Sequence, residues 1–412
     1  MKTIDCARIS EWLDACRDLV VDYQSELTQI PALSPVNGGQ GEAIKAKKLI
    51  EILQNIGMTH IEEIHAPDDR VNCGYRPSII ATLEGQSSEK TIWIMAHTDV
   101  VPAGDLTQWQ TDPFKAIVEG DKIYGRGTED NQQGIVSALL AVQACLTCNI
   151  VPNYRVGLAF VADEENGSAY GIDYVLKNRP DLFKPQDLII IPDVGNEDGS
   201  MIEIAEKSIL WIQCEIIGKQ THGSTPELGV NARKVASYLT VKLDSLYQKY
   251  NASDASFDPP ISTFEPTKIE ANIENVNTIP GRDVFYFDCR ILPSYSLDEI
   301  KAVIRSWADE LESEFGAKIN LSFPQSVTAP KPTPPEAPVA LAIKEAVRHV
   351  LQREAKPIGI GGGTVAAFFR EHDLPVVGWC TLDETLHGPN EYTTITNTIN
   401  DAKVFAHIFL NS

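Results

Sequence analysis

Side chains that can bind metal ions follow apolar runs at three places in this sequence. They are His97 and Asp99 after the first run, Glu164 and Glu165 after the second, and Asp193 after the third. Two further candidates lie outside these runs: Asp130 follows a glycine-rich turn, and His387 belongs to a loop near the C-terminus. Because functional sites of open α/β sheets form at the carboxyl ends of strands, we expect all seven side chains to meet at one sheet edge.

The types of these residues favour a metal-dependent reaction. Imidazole nitrogens and carboxylate oxygens together suit Zn²⁺, Co²⁺ or Mn²⁺ better than calcium or a metal that prefers thiolates. His97 and Asp99 are two residues apart at a strand end, so both side chains leave one face and Asp99 can hold the second imidazole nitrogen. Two ions about 3.5–4 Å apart, bridged by one carboxylate, would stabilise a nucleophile and an oxyanion together. A spare glutamate could accept a proton and return it to a leaving amine.

Each of these features has a plainer interpretation when it stands alone. A single aspartate at a strand end is more often a helix cap or a turn residue, and two adjacent glutamates usually mark a solvated face. The H-x-D spacing of His97 and Asp99 is equally compatible with a structural role. The metal-site hypothesis therefore depends on several strand ends and the histidine loop converging on one edge.

The surrounding sequence predicts the elements that would position these residues. Two N-terminal stretches, residues 8–28 and 42–57, have the apolar spacing of helices. Short apolar runs then alternate with further helical stretches, which is typical of buried strands in a mixed α/β sheet. The runs are residues 78–83, 91–96, 156–162 and 188–192, and the helical stretches are residues 134–146 and 171–178.

A second, smaller domain is predicted after Lys207, with the element order β-α-β-α-β. Its strands are residues 209–217, 284–292 and 318–323, and its helices are residues 231–249 and 297–315. The proline-rich residues 329–338 form a stiff return linker. Beyond it we expect helices at 339–351 and 365–370, a turn at 359–363, and a strand at 375–379. The predicted catalytic domain comprises residues 1–207 plus 325–412, and the inserted domain comprises residues 208–324.

Composition narrows the range of partners and locations. The 412 residues carry a net charge of −22, which disfavours nucleic acid and membrane surfaces. We expect no secretory leader, because acidic residues interrupt the N-terminal apolar pattern, and no membrane span, because no apolar run reaches about 18–20 residues. The eight cysteines are scattered, so we predict a cytoplasmic protein in a reducing compartment. Cys145 and Cys148 form a lone C-x-x-C, which we interpret as two buried thiols.

Seven short motifs follow one another along the chain. They are MAHTDVVP, W-x-T-D-P-F, I-Y-G-R-G-T-E-D-N-x-x-G, F-V-A-D-E-E-N-G-S, G-K-Q-T-H-G-S-T-P, N-T-I-P-G-R and L-H-G-P-N-E-Y. Together they resemble the di-zinc aminoacylase and carboxypeptidase family, metallopeptidase family twenty, over residues 45–412. That family includes succinyl-diaminopimelate desuccinylase, acetylornithine deacetylase, aminoacylase, carnosinase and glutamate carboxypeptidase. The resemblance implies an α/β, mixed-sheet zinc-peptidase catalytic domain with an inserted ferredoxin-like α+β domain for lid closure and dimerisation.

The resemblance also implies which residues would hold two zinc ions. The five ligands are His97 and Asp193 for one ion, Glu165 and His387 for the other, and Asp130 as the bridge. Co²⁺ and Mn²⁺ are the alternative ions. The peptide bond after the bridging aspartate is cis in the family, so we expect a cis bond between Asp130 and Asn131.

Three further residues would take part in catalysis if the resemblance holds. Asp99 would orient His97, and Glu164 would be the general base and acid for a water that bridges the two zinc ions. His222, in the inserted domain, would contact the substrate carbonyl, commonly across a homodimer interface. The alternative is that His222 is an ordinary surface histidine of the inserted domain. We interpret the histidines that match no motif as surface or helix histidines. These are His60, His65, His349, His372 and His407.

The predicted substrate-binding residues are Arg290, Asn277, Gly362, Gly363 and Thr364. Arg290 matches the family's carboxylate-binding arginine, whose guanidinium suits a bidentate carboxylate, although pairing with a neighbouring acid is an alternative. Asn277 could bond the substrate backbone, and residues 361–364 would present N–H groups and a threonine. The family's frequent Thr-Asp is Thr364-Val365 here, which argues against a substrate that needs a cationic group at this point.

The leading hypothesis is metal-dependent hydrolysis of the amide bond of an N-acyl amino acid, by a deacylase of the succinyl-diaminopimelate desuccinylase type. The alternative is a metallo-carboxypeptidase or dipeptidase acting on short peptides, because the same metal site serves both reactions. A non-catalytic binding protein on this scaffold would have lost a ligand or the base, and none of the seven positions is lost. The expected partners are a small substrate and, through the inserted domain, a second copy of the chain.

Overall fold

The computed structural model describes residues 2–412 of the chain, and the side chains of residues 4–412. Two compact units divide these residues. The first contains the residues up to Ile204 together with Thr333–Pro357 and Thr364–Ser412, and the second contains Ala205–Pro332 and Ile358–Gly363. None of the helices in the described residues is both long and apolar enough to cross a membrane.

The described residues form eleven α-helices, numbered in chain order. They are α1 (Lys2–Asp14), α2 (Arg17–Thr28), α3 (Ala43–Asn55), α4 (Gln132–Thr147), α5 (Ile172–Asn178), α6 (Ala232–Asp244), α7 (Leu246–Lys249), α8 (Leu297–Phe315), α9 (Pro338–Val350), α10 (Ala366–Glu371) and α11 (Ile395–Asn411).

The strands of the described residues are numbered in the same way. They are β1 (His60–Pro67), β2 (Tyr75–Leu83), β3 (Ser87–His97), β4 (Ile117–Glu119), β5 (Lys122–Tyr124), β6 (Tyr154–Val161), β7 (Leu188–Asn196), β8 (Met201–Glu206), β9 (Ser208–Ile217), β10 (Thr221–His222), β11 (Thr263–Ile269), β12 (Thr278–Ile279), β13 (Arg282–Ile291), β14 (Lys318–Ser322), β15 (Ser326–Val327), β16 (Lys356–Ile360), β17 (Val376–Thr381) and β18 (Tyr392–Thr394).

The first unit is built on a mixed eight-stranded sheet with the strand order β1-β2-β6-β3-β7-β17-β8-β16. β3 is parallel to both β6 and β7, and β17 is parallel to β7. The apolar runs of the sequence lie inside these strands, because strands covered on both faces bury every side chain. Four neighbouring strands therefore end at one edge of the sheet, where α/β proteins place their sites.

The second unit has a smaller sheet in the order β11-β13-β9-β14, with β15 also paired to β9. Its core joins this sheet to α6 and α8, through buried side chains such as Leu239, Ile304 and Phe287. Leaving aside the two-residue strands β10, β12 and β15 and the short helix α7, the element order is β-α-β-β-α-β, one strand more than predicted. The additional strand is β11, whose side chains are mostly exposed, so it has no apolar run to mark it.

Some of the predicted boundaries are wrong for local reasons. Residues 8–28 form two helices rather than one, because the chain turns at Cys16, whose thiol donates to the Trp12 carbonyl at 3.2 Å. The predicted helix 231–249 is likewise split between α6 and α7, and β16 extends into the predicted turn at 359–363. All eight cysteines are free, but only Cys145 of the C-x-x-C pair is buried, since Cys148 lies at the end of α4 and is half-exposed.

Replacing Gly157 with alanine should destabilise the first unit. Gly157 on β6 pairs with Trp93 on β3, and an added Cβ would lie 2.2 Å from the indole. The indole N–H is held by Asp187 at 3.1 Å, so the ring cannot move away freely. We expect Gly157→Ala to lower the free energy of unfolding by about 1–3 kcal/mol, the usual cost of overpacking, in urea denaturation.

Gly361→Ala is the matched control, because a Cβ at Gly361 meets no atom within 4 Å. Its effect should stay within about 0.5 kcal/mol, as for most surface substitutions. Equal unfolding free energies for the two variants would show that the indole does not limit the space at Gly157.

Candidate metal centre

His97 lies at the centre of a cluster of carboxylates at the edge where the parallel strands end. It is the last residue of β3 and is only 2% exposed. Its Nε2 atom is 2.7 Å from Asp130, 3.5 Å from Asp193 and 4.0 Å from Glu164. Burial alone would lower the pKa of His97, but the charge of Asp193 and the hydrogen bond with Asp130 raise it well above its ordinary value. The imidazole of His97 is therefore surrounded by negatively charged carboxylates.

Asp99 lies beside both His97 and the turn that carries the two glutamates. Its carboxylate accepts hydrogen bonds from the backbone N–H groups of Glu164 and Glu165, at 3.0 and 3.1 Å. Its carboxylate oxygen is 3.5 Å from Nδ1 of His97, while its backbone carbonyl is closer, at 3.0 Å. The Nδ1 atom thus faces acceptors, which leaves the lone pair of a neutral ring on Nε2, directed into the cluster.

Asp130 lies between the two histidines. One carboxylate oxygen is 2.7 Å from His97 and the other is 3.1 Å from Nε2 of His387. Burial would raise the pKa of Asp130, but the hydrogen bonds from His387 and His97 lower it below its ordinary value. The peptide bond between Asp130 and Asn131 is cis, as predicted. A carboxylate with one oxygen toward each imidazole has the arrangement that a bridging ligand requires.

Glu164 and Glu165 stand on a short 3₁₀ helix (Glu164–Asn166) rather than at the end of an extended strand. Glu165 is 3.1 Å from His387, and its other carboxylate oxygen is buried without a hydrogen-bond partner in the described part of the chain. Burial, followed by the charge of Asp193, raises the pKa of Glu164 well above its ordinary value. Glu164 approaches His97 and Glu165 approaches His387. This turn is therefore compatible with the predicted roles of Glu164 as a base and Glu165 as a metal ligand.

Asp193 lies inside β7 rather than at its end, since the strand continues to Asn196. The pairing of β7 with β3 stops at Ile190, and its pairing with β17 is interrupted between Ile191 and Gly195. Asp193 lies in this interrupted stretch and can turn toward His97. The side-chain amide of Asn131 donates to Asp193 and, at 2.7 Å, to the carbonyl of Pro192. This contact ties the cis turn to β7.

The cluster fits divalent metal ions. His97, Asp130 and Glu165 form one group of donors, and His97, Glu164 and Asp193 form another, with donor atoms within 4.8 Å of one another in each group. Four carboxylates this close repel one another unless cations share the space. The unpartnered Glu165 oxygen is a further vacant donor. The set of imidazole and carboxylate donors suits Zn²⁺, Co²⁺ or Mn²⁺.

Glu391 and Arg126 connect the His387 loop to the Asp130 turn, and neither role was predicted from the sequence. Glu391 is fully buried and accepts from the backbone N–H groups of Gly127, Glu129 and Asp130 at 2.9–3.1 Å. Arg126 bonds to Glu391 at 2.6 Å and to the carbonyl of His387 at 3.2 Å. Burial raises the pKa of Glu391 to about 7. Both residues stand in matched motifs, so their motif membership was the only available signal.

Arg76 supports the other side of the cluster. It is fully buried, pairs with Glu42 and bonds to Asp163 at 3.1 Å. Asp163 has a φ of 62° and accepts from the N–H of Tyr170 at 3.0 Å, which fixes the start of the turn that carries Glu164. The sequence spacing of Glu42 and Arg76 does not predict their pairing, because Glu42 precedes α3 and Arg76 lies in β2.

Two of the predicted substrate contacts are neighbours in the second unit. His222 on β10 pairs with Thr278 on β12, the residue after Asn277. Both His222 and Asn277 are exposed. Nδ1 of His222 accepts the backbone N–H of Ser224 at 3.2 Å, so the proton of the neutral imidazole resides on Nε2. This ring can therefore donate a hydrogen bond.

Arg290, also in the second unit, shows the alternative that the sequence left open. Its guanidinium forms two hydrogen bonds with Asp288, at 2.7 and 3.0 Å, and a third with the carbonyl of Gly361 at 3.2 Å. The predicted Gly362 and Gly363 follow this anchored residue. Thr364 begins the return to the first unit, and its hydroxyl accepts the N–H of Ala366 at 3.1 Å.

The chain is similar to known metallohydrolases in sequence and to known peptidases in fold. Residues 93–411 match peptidase family M20/M25/M40. An uncharacterised metallohydrolase of Methanocaldococcus jannaschii is 40% identical over 406 residues, which covers 94% of this chain and 98% of that protein. A succinyl-diaminopimelate desuccinylase of Sulfurovum sp. is 28% identical over 316 residues, with 75% and 80% covered. The structure of human carnosine dipeptidase 1 is similar with a TM-score of 0.73 and 20% identity, covering 98% of both chains.

Replacing Glu391 with glutamine should weaken metal binding. The change removes the charge that pairs with buried Arg126 and loosens the Asp130 turn and the His387 loop together. Loss of such a supporting contact typically costs about 10–100-fold in metal affinity. We expect that range for Zn²⁺ in competition with a chelator.

Glu384→Gln is the control, because Glu384 is an exposed residue of the same loop. Its affinity for Zn²⁺ should match that of the unchanged chain. If Glu391→Gln also bound Zn²⁺ with unchanged affinity, the buried contact would not be needed to hold the centre.

Proposed function

The chain belongs to peptidase family M20/M25/M40, as its motifs predicted, and we propose that this metallohydrolase hydrolyses the amide bond of an N-acyl amino acid. The convergence of His97, Asp130, Glu165, Asp193 and His387 on one sheet edge is the observation that carries the proposal. A deacylase of the succinyl-diaminopimelate desuccinylase type is favoured, because curated relatives with that activity match most of the chain.

Two divalent ions, zinc in the first instance, would be held by the cluster. His97 and Asp193 would bind one ion, Glu165 and His387 the other, with Asp130 shared. When bound, such a pair polarises a carbonyl group and lowers the pKa of water. Side chains of the protein would transfer the proton and donate a hydrogen bond to the carbonyl oxygen.

Glu164 would accept the proton of the attacking water and return it to the leaving amine. It lies 4.0 Å from His97 and within the same donor group as Asp193. Because burial and the charge of Asp193 raise the pKa of Glu164, the carboxylate is a stronger base than an exposed glutamate.

His222 would donate a hydrogen bond to the carbonyl oxygen as negative charge develops on it. The support for this role is its tautomer, since the N–H of Ser224 occupies Nδ1 and leaves Nε2 as the donor. In the proposed homodimer, the second unit of one chain would supply this histidine to its partner. β11, an edge strand with mostly exposed side chains, is a surface through which the second units could pair.

Recognition of the substrate would fall to Asn277, Arg290, Gly362, Gly363 and Thr364. Because Asp288 already occupies two donors of Arg290, a substrate carboxylate would have to share the guanidinium with that aspartate. Val365 is buried in the core of the first unit, so the position of the family's frequent aspartate presents no charge.

We also propose a cytoplasmic location, which the eight free thiols favour.

Glu164→Gln should abolish most turnover while retaining the metal ions. The amide keeps the shape of the side chain but cannot take up a proton, and loss of a general base costs about 10²–10⁴-fold in rate. Turnover would be followed by amine release, and metal content by atomic emission. Glu197→Gln, an exposed glutamate just beyond β7, should leave both unchanged. Full turnover by Glu164→Gln would assign the base to another residue.

A substrate panel tests the proposed reaction itself. The purified chain would be given N-succinyl and N-acetyl diamino acids, N-acyl monoamino acids and dipeptides, with added Zn²⁺ or Co²⁺. We expect selective cleavage of an N-acyl diamino acid. Selective cleavage of dipeptides would establish the peptidase alternative, and absence of cleavage with the metal ions bound would refute the substrate assignment.

A further inference from the structure

A second group of metal-binding side chains lies away from the His97 cluster, in a cavity of about 510 Å³ lined by residues of α1, α9 and α11. The group consists of Glu345 and His349 on α9 and His407 on α11. One donor atom of each residue lies within 4.8 Å of the other two. All three belong to the first unit, and none is part of a motif that the catalytic proposal uses.

The two helices present these side chains to one another. Glu345 and His349 are four residues apart, so they occupy the same face of α9. The rings of His349 and His407 are stacked, with centroids 5.0 Å apart and planes inclined by 21°. The donors of three residues therefore come together from a single face of each helix.

The hydrogen bonds of His349 leave it in a state that can bind a metal ion. Its Nδ1 is 2.9 Å from the backbone carbonyl of Glu345. A carbonyl only accepts, so Nδ1 carries the proton and the lone pair of the neutral ring is on Nε2. Histidines that ligate metals typically have this arrangement, with the other ring nitrogen donating to a backbone carbonyl or a carboxylate.

His407 supplies an independent indication of a ligand. Its Nε2 is buried and has no hydrogen-bond partner in the described residues. A buried ring nitrogen without a partner costs free energy that a bound cation would offset.

We propose that Glu345, His349 and His407 bind one divalent transition-metal ion, with Zn²⁺ as the ion tested. Two imidazoles and one carboxylate are a common zinc set, with a fourth position left for water or a small ligand. A tetrahedral ion brings its donors to about 3–3.5 Å from one another, and the exposed Glu345 and His349 can rotate to reach that distance. Lys403 also lines the cavity, but its ammonium group is paired with Asp14.

Such an ion would connect α9 to the C-terminal helix α11. It would bind the folded chain in preference to the unfolded one, because His349 and His407 stand on different helices that only folding brings together. The ion would therefore stabilise the packing of α11 in proportion to its free concentration. This effect is separate from the ions of the catalytic centre.

The test compares bound zinc in variants of the full chain, equilibrated in a chelator buffer with micromolar free Zn²⁺. His349→Ala and Glu345→Gln should each lose one ion per chain relative to the unchanged protein. His372→Ala is the matched control, because His372 also places Nδ1 near the carbonyl four residues before it, at 2.8 Å, but belongs to no donor group in the described residues. The control should lose no ion.

Because the result is a difference between variants, the number of ions at the His97 cluster does not affect it. Glu345 and His349 are exposed, so both variants should fold, which circular dichroism would check. Equal zinc content in His349→Ala, Glu345→Gln and the unchanged chain would overturn the proposal. Loss of one ion in both variants, with none lost in His372→Ala, would establish the site.

Discussion

Four carboxylates, those of Asp130, Glu164, Glu165 and Asp193, are held side by side around His97, where burial makes each negative charge costly. The chain does not separate them, although they come from three places: the Asp130 turn, the 3₁₀ turn that carries Glu164 and Glu165, and β7. Instead, two buried arginines hold the turns in place. Arg76 pairs with Glu42 and Asp163 on one side, and Arg126 pairs with Glu391 on the other.

This arrangement explains why the supporting charges are buried with the ligands. Removing either arginine would leave a buried carboxylate without its partner, which is more costly than the pair itself is favourable. Glu391 and Asp99 accept hydrogen bonds from backbone N–H groups of the turns that carry Asp130 and Glu164. The positions of the donors are therefore set before any ion binds, and the repulsion among the carboxylates becomes a driving force for binding cations.

Much of the fold could be predicted from the sequence because the central strands are continuous apolar runs, as in β3 and β6. The seven candidate residues of the centre could be predicted because they follow those runs or stand in matched motifs. Other features had no local signal. β11 has exposed side chains, α1 and α2 are separated only by a turn at Cys16, and Glu42 meets Arg76 across separate elements. The pairing of Arg290 with Asp288 depended on side-chain geometry that spacing does not fix.

The most direct test of the account is a crystal structure of the chain grown with Zn²⁺, with diffraction recorded on both sides of the zinc absorption edge. The account predicts two anomalous peaks in the His97 cluster, about 3.5–4 Å apart, with Asp130 in contact with both. One peak would lie beside Asp193 and the other beside Glu165 and His387. A single peak, or two peaks of which Asp130 contacts only one, would contradict it.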